Sequence, residues 1–204
     1  MAAHLNRSVR NVFRMRKHIL FQHDRIMDSI DKNSPEDNFR NLIGEEGIAK
    51  MKELARSAGS CFFCTRLDGT GKFNTRPMSA DGIDDRGDFW FLSPSDSHKN
   101  QDIAIDPRVQ LLFQGSAHSD FMTLSGRATV SRDQTKIKEL WNPFLKVWFT
   151  EGENDPRITT IKFTPDDGHY WDTKHGEGIA LVKRLYGAAV GKTYDDSVEG
   201  KITP

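Results

Sequence analysis

The sequence has little of what marks secreted, membrane or metal-dependent proteins. Two cysteines, Cys61 and Cys64, among 204 residues are too few for a disulfide framework or a structural zinc site. No apolar run approaches the roughly 18 residues that a membrane-spanning helix needs, and no signal-peptide pattern follows the start. Glycine-rich phosphate loops and HExxH-type metal motifs are lacking as well. We therefore expect a cytoplasmic protein with no membrane span and no metal site.

An excess of charge of one sign is also lacking. Lys and Arg together number 29, Asp and Glu together number 29, and the formal net charge is zero. No overall field therefore attracts nucleic acid or membranes, and we expect no nucleic-acid partner. Apolar residues make up 36% and charged residues 28%, which is typical of one globular domain, with or without an appendage.

The basic residues are concentrated at the start of the chain, where no acidic residue precedes Asp24. Apolar residues recur at helical steps from Leu5 to Ile30, which predicts a long, interrupted amphipathic helix. The simplest interpretation of this N-terminal extension, residues 1–37, is a helix that covers part of the core. The alternatives are an arm that packs on a partner subunit, a helix that binds anionic membranes or nucleic acid, and a mitochondrial-type presequence.

From residue 60 onward, short aromatic or β-branched runs alternate with turn signals such as Asp-Gly. Most connections are too short for crossover helices, so the runs predict a small antiparallel β-barrel with flanking helices. Six strands are expected, in the runs 61–67, 89–93, 109–115, 121–131, 158–163 and 169–173. Helices are expected at 45–58 before Gly59, at 97–105, and at 134–149 with a break at Pro143.

Cys61 and Cys64 have the spacing of a redox or metal-binding pair. In a strand, however, residues three apart point to opposite faces of the sheet, and the surrounding run is apolar. A thioredoxin-like pair needs a turn that enters a helix. We therefore interpret both cysteines as buried packing residues.

A candidate anion site is formed by basic and hydroxyl side chains near two predicted strand ends and a helix start. These residues are Arg76, Ser93, Ser97, His98 and Lys99. Such groups, with the amides of a helix N-terminus, are what a phosphate dianion needs. If strands 75–79 and 89–93 are hairpin partners, Arg76 and Lys99 converge at one end of the barrel. The competing interpretation is that both are solvated surface residues.

Aromatic residues are concentrated between Trp141 and Phe149, with Phe144 and Trp148 between them. Near an anion site, flat side chains could cover a heteroaromatic ring. Aromatic residues at helical spacing also form cores, and a hydrophobic interface is a third possibility.

Several motifs in matching order give the chain a family resemblance. They are Thr-Arg-Pro-Met at 75–78, SHKNQDIAIDPRVQLLF at 97–113, LSGRATVSRD at 124–133, the run from Trp141 to Asp155-Pro156, and Tyr-Trp-Asp at 170–172. With them the chain resembles the pyridoxamine 5′-phosphate oxidase-like flavoproteins, and among these the bacterial general stress protein 26 type. The resemblance covers about residues 38–174.

The resemblance implies an FMN-binding split barrel, here residues 38–175, followed by a polar C-terminal tail or partly ordered cover at 176–204. It also implies a homodimer that holds flavin between its subunits, with FMN as the cofactor and FAD as an alternative.

The resemblance further implies flavin contacts from Arg76, Pro77, Met78, Leu92, Ser93, Ser97, His98, Lys99 and Trp148. Arg76 would contact the phosphate side, and the backbone of Pro77 and Met78 would run along the isoalloxazine. Ser97, His98 and Lys99 match a phosphate-binding Ser-Arg-Lys, so His98 replaces an arginine. Leu92 and Ser93 would touch the flavin, and Trp148 would wall the site from the partner subunit.

Two departures from the oxidases narrow the expected function. Phe121 stands where a flavin-contacting glutamine is found, and the Arg-x-His signature for pyridoxal phosphate has no counterpart near the C-terminus. We therefore expect an FMN-dependent oxidoreductase acting on an unidentified small molecule, and no pyridoxamine-phosphate oxidation. The alternative is a non-catalytic flavin-binding or redox-sensing protein. No residue stands out as a general acid or base.

Overall fold

The computed structural model describes residues 38–67, 73–80, 82–117, 119–173 and 197–204. The predicted N-terminal helix lies outside these residues. The described strands form one sheet of nine: β1 (Leu42–Ile43), β2 (Ser60–Thr65), β3 (Asn74–Ser79), β4 (Gly82–Ile83), β5 (Phe89–Pro94), β6 (Arg108–Gln114), β7 (Phe121–Ser131), β8 (Ile158–Thr173) and β9 (Ser197–Thr203). The described helices are α1 (Glu45–Ala58), α2 (His98–Ile105) and α3 (Gln134–Leu140), with short 3₁₀ helices at Pro143–Val147 and Gly152–Asn154.

The sheet runs in the order β1-β9-β8-β7-β6-β2-β3 and branches at β8. The first part of β8 pairs with β5, and its last part pairs with β9. The long strand β7 pairs along both parts. Within the described residues β3 pairs only with β2, so the sheet does not close between β3 and β5. This mainly β, open arrangement is the split barrel that the family resemblance implies.

The strands at 75–79 and 89–93 are not hairpin partners, which was the condition set for the candidate anion site. β3 pairs instead with β2, with Arg76 opposite Phe63, while β5 pairs with β4 and β8. Pro77 explains why β3 suits the edge of the sheet, because proline has no N–H to donate to a second neighbouring strand. The two strands predicted at 158–163 and 169–173 are parts of one continuous strand, β8. β7 pairs with both parts, and the irregularity in this pairing is a bulge beside Gly126.

The end of the chain also differs from the expected polar tail or partly ordered cover. Ser197–Thr203 forms β9, which lies between β8 and β1. Ile202 is fully buried. Gly200 lets the chain at Arg40 pass close by, since an added Cβ would collide with the Arg40 carbonyl. Residues 174–196 lie outside the described part.

Helix α1 has the predicted bounds. Glu45 and Glu46 occupy its first turn, where their carboxylates interact favourably with the positive end of the helix dipole. Gly59 caps its C-terminus at φ 66°, a left-handed conformation that glycine adopts without strain. The buried side chains of Met51 and Leu54 pack on the sheet and close the main core.

The interpretation of the cysteines as packing residues is confirmed. Cys61 and Cys64 are free thiols, exposed by 4% and 1%. Burial, together with a smaller effect of the nearby Cys64, raises the pKa of Cys61 to about 12. A thiol this reluctant to ionise is a poor nucleophile.

Candidate functional site

A cavity of about 310 Å³ opens where the sheet fails to close. One side is the edge strand β3, the other is β5, and residues 140–149, from the end of α3 to just beyond the first 3₁₀ helix, form a third wall. The lining residues are Pro77, Met78, Ser79, Gly82, Trp90, Phe91, Leu92, Pro94, Lys99, Leu140, Leu145, Trp148 and Phe149. The volume lies at the lower end of the range for small-molecule sites.

A hydrogen-bonded group fixes the start of α2 against the end of β5. Ser97 is the N-cap, and its Oγ accepts a hydrogen bond from the backbone N–H of Asn100. The buried Ser93 Oγ lies 2.9 Å from Ser97 Oγ and donates to Asn100 Oδ1 at 3.0 Å. Asn100 Nδ2 donates to Thr159 Oγ1 at 2.9 Å, which links the helix to β8. The helix that carries Lys99 is therefore held rigidly at the cavity.

Among the described residues that line the cavity, Lys99 has the only titratable side chain. It is half-buried, and within the described chain no carboxylate forms an ion pair with it. Burial lowers the pKa of Lys99, and the positive charge of Arg76 lowers it further. A buried cation without a counter-charge is costly, so an anion placed here would be stabilised.

Arg76 lies beside this cation and is held by a buried carboxylate. Its Nη2 donates to Asp102 Oδ2 at 3.2 Å, and its Nη1 donates to Thr65 Oγ1 at 3.1 Å. Thr65 Oγ1 and Asn74 Nδ2 donate to the same Asp102 oxygen, at 2.7 and 2.9 Å. Burial alone would raise the pKa of Asp102, but these hydrogen bonds and the charge of Arg76 bring it below its ordinary value.

The third wall is built on a small second core. Phe149 is buried with Ile137 of α3 and Ile158 of β8, and Leu92 and Leu145 pack against them. Buried aliphatic and aromatic side chains in this segment therefore fix the wall that faces the cavity.

Trp148 stands on the rim of this wall and is 62% exposed. Its carbonyl accepts a hydrogen bond from Arg157 Nη2 at 3.1 Å. The guanidinium of Arg157 is held in turn by two hydrogen bonds to the buried Asp155. The backbone at Trp148 is therefore fixed, while its indole is free to cover a ligand.

The structure brings together five of the nine residues named from the sequence. Pro77, Met78, Leu92, Lys99 and Trp148 line one cavity, and this Trp148 belongs to the same chain as the other four.

The remaining four residues lie behind or beside the cavity. Arg76 adjoins Lys99 through their charges, although it is not among the lining residues. Ser93 is fully buried and Ser97 caps α2, so both hydroxyls are engaged within the protein. His98 is exposed at the first position of α2.

Sequence reasoning missed Trp90 and Leu140 in the lining and Asp102 behind it. The alternation of a strand could have found Trp90, which points to the same side of β5 as Leu92. Helical spacing could have found Asp102, which lies three residues after Lys99. No sequence pattern marks Leu140, because its position depends on how α3 packs across the sheet.

The arrangement suits a flat ligand with an anionic end. The lining is largely apolar and aromatic, and Arg76 adds a second positive charge beside its cation, Lys99. In the described residues no group of three or more side chains is arranged to hold a metal ion. None of the helices in the described ranges is long and apolar enough to cross a membrane.

Comparison with known proteins agrees with the family resemblance of the sequence. The model of the family described as pyridoxamine 5′-phosphate oxidase like matches residues 46–195. The protein bli-3 of Neurospora crassa is 29% identical over 153 residues, which cover 68% of this chain and 73% of that protein.

Solved structures share the fold. A candidate general stress protein 26 from Jannaschia sp. CCS1 has a TM-score of 0.65 and 22% identity, over 76% of this chain and 97% of its own. The general stress protein 26 of Bacillus anthracis str. Sterne has a TM-score of 0.52 and 23% identity, over 60% of this chain and 92% of its own.

Proposed function

The chain belongs to the pyridoxamine 5′-phosphate oxidase-like family, and on that premise we propose that it is a flavoprotein of the general stress protein type that binds FMN. The proposed site is the cavity between β3 and β5. The observation that carries the proposal is Lys99, a half-buried cation that lines the cavity and has no counter-charge among the described residues. We further propose that the protein is an oxidoreductase for an unidentified small molecule.

The phosphate of FMN fits beside Lys99, where the neighbouring Arg76 adds a second positive charge. A phosphate dianion would supply the negative charge that Lys99 lacks. Arg76 keeps N–H groups beyond the two that bond Asp102 and Thr65, and a guanidinium can present these to phosphate oxygens. Each charge-assisted contact of this kind contributes about 1.5–3 kcal/mol.

The isoalloxazine fits along β3 and beneath the third wall. Because β3 is an edge strand in the described sheet, backbone groups near Pro77 and Met78 are available to a ligand. The indole of Trp148 can cover the other side of the ring. When bound, the flavin supplies the redox chemistry, and the protein holds its phosphate and limits the access of water to its ring.

A homodimer is part of the proposal because the outer face of the sheet carries an apolar row next to the cavity. Phe62 of β2 is 55% exposed. It is flanked by Pro77 of β3 and Leu112 of β6 in the strand register. Since Pro77 also lines the cavity, a partner subunit that covers this row would complete the flavin site.

The test of cofactor binding is the visible absorption spectrum of the purified protein. We expect an oxidised-flavin spectrum, and mass analysis of the material released on denaturation should identify FMN rather than FAD. Protein purified without flavin should recover the spectrum when FMN is added. A colourless protein that takes up neither flavin would contradict the proposal.

A flavin-storing or redox-sensing protein without turnover is the second candidate. It is favoured by the lining of the cavity, where the described residues include no acid–base pair and Lys99 is assigned to the phosphate. Anaerobic reduction of the bound flavin by a nicotinamide cofactor, followed by fast reoxidation with added acceptors, would support the enzyme. Flavin that binds but is reduced by no such donor would support the second candidate.

A further inference from the structure

Asp102 of α2 lies behind the cavity rather than in it. Its side chain is 8% exposed, and one of its carboxylate oxygens accepts hydrogen bonds from three groups on two neighbouring strands. These groups are Thr65 Oγ1 of β2 and, from β3, Asn74 Nδ2 and Arg76 Nη2. A single carboxylate therefore joins a helix to the edge strand and its neighbour.

This connection fixes both cations of the proposed phosphate site. Asp102 holds the guanidinium of Arg76 directly. Lys99 precedes Asp102 by three residues, so the two lie on one side of α2. Fixing Asp102 to β3 therefore also fixes where Lys99 stands relative to the lining residues Pro77 and Met78.

We propose that Asp102 is a positioning residue for the phosphate of the bound flavin, acting through Arg76 and through the placement of α2. The inference rests on the proposed function. It identifies Asp102 as a determinant of how strongly the site prefers a phosphorylated flavin to the same ring without phosphate. Asp102 itself contacts no ligand in this arrangement.

Two other roles for Asp102 predict different effects on flavin binding. If Asp102 acted only as a counter-charge, it would weaken the attraction between Arg76 and a phosphate dianion. Its neutralisation would then strengthen FMN binding. If Asp102 only stabilised the fold, its replacement would weaken FMN and riboflavin binding alike, since both need the cavity.

The experiment measures the dissociation constants of FMN and riboflavin by quenching of flavin fluorescence, in the wild type and in Asp102→Asn. The amide keeps the shape of the side chain but loses the charge-assisted bond to Arg76. We expect FMN affinity to fall roughly tenfold while riboflavin affinity changes by less than about twofold. Asp102→Glu, which keeps the carboxylate, should recover part of the FMN preference.

Two further variants complete the test. Asp172→Asn is the matched control, because Asp172 is also a buried carboxylate paired with a cation, Lys50, but lines a different cavity. It should keep the wild-type ratio of FMN to riboflavin affinity. In an Arg76→Ala background, the effect of Asp102→Asn on this ratio should largely disappear, as expected for residues that act together.

The possible outcomes separate this inference from the proposed function. An unchanged or increased FMN preference in Asp102→Asn would overturn the positioning role while flavin binding stands. An equal loss of both ligands would indicate a purely structural role and would also overturn it. A wild-type protein that binds neither flavin would overturn the proposed function itself.

Discussion

The charge of Lys99 is unfavourable in the free protein but favours the binding of an anion. Burial and the neighbouring Arg76 both disfavour its charged form and lower its pKa. The cost remains in the free protein, because no described carboxylate pairs with the Lys99 ammonium. A bound phosphate would remove this cost, so the destabilised cation provides affinity for the ligand.

The pH dependence of FMN binding tests this assignment. The charged form of Lys99 binds phosphate, and its pKa is below the ordinary 10.5, so FMN affinity should fall as the pH rises towards that lowered pKa. Measurements should stay above about pH 7, since phosphate itself gains a proton near pKa 6. FMN and riboflavin share the isoalloxazine, so the ratio of their affinities at each pH removes any effect of pH on the binding of this ring.

Two variants serve as controls for the pH dependence. Lys99→Arg keeps its charge throughout this range, so its FMN preference should not fall as the pH rises. Lys99→Met should lose roughly tenfold or more in FMN affinity at neutral pH. An alkaline loss that is identical in wild type and Lys99→Arg would show that another group titrates.

The cysteines allow a second prediction at the scale of the residue. Cys61 and Cys64 are buried, and the pKa of Cys61 is raised to about 12. A thiol reagent should therefore modify neither residue in the native protein at neutral pH. Both should react in denaturant, where a titration should count the two cysteines of the chain. Rapid modification of the native protein would instead indicate an exposed, reactive pair.

At the scale of secondary structure, strand β9 is the element whose role is easiest to measure. Ile202 is fully buried between the sheet and α1, and it lies opposite Leu42 in the register with β1. Ile202→Ala should lower the free energy of unfolding by about 2–5 kcal/mol, because it leaves a cavity in a packed core. The measurement is denaturation in urea.

Ile43 provides the matched control for β9. It is the other residue of β1 and is 73% exposed, so Ile43→Ala should change the free energy of unfolding by less than about 0.5 kcal/mol. Equal effects of the two variants would contradict the placement of β9 in the core.

These elements also show what the sequence could predict. Helix α1 has an apolar stripe, acidic residues in its first turn and a terminal glycine, and all of these are local signals. β9 has only Val198 and Ile202 as apolar residues, and one of its two partners, β1, lies at the other end of the described chain. The edge position of β3 also depends on long-range pairing, although Pro77 was a local indication of it.

In the cavity, too, local sequence signals predict some residues and others depend on long-range contacts. Lys99 and Trp148 were predicted from motifs that match a family pattern, and the structure places both at one opening. Helical spacing indicates Asp102 itself, but its hydrogen-bond partners could not be predicted, because they come from β2 and β3 and meet α2 only after folding. Local sequence can indicate which residues bind, but the groups that orient them depend on tertiary contacts.

At the scale of the whole molecule, the cavity and the outer apolar row share one strand. β3 contributes Pro77 to both, and Met78 beside it packs against the core. Contiguous apolar side chains at the surface, here Phe62 with its neighbours Pro77 and Leu112, favour a covering surface. Subunit association and flavin binding are therefore expected to be coupled.

The last prediction tests this coupling with Phe62→Glu, which places a charge at the centre of the row. Analytical ultracentrifugation should show a dimer for the wild type and mainly monomer for the variant, because burying an unpaired carboxylate in an interface is unfavourable. FMN should also dissociate more readily from the monomer, since one side of the site near Pro77 would be open. Ile43→Glu, at the far edge of the described sheet, should remain a dimer that retains FMN. A Phe62→Glu variant that stays dimeric would exclude this row as the interface, and a monomeric wild type would refute the homodimer.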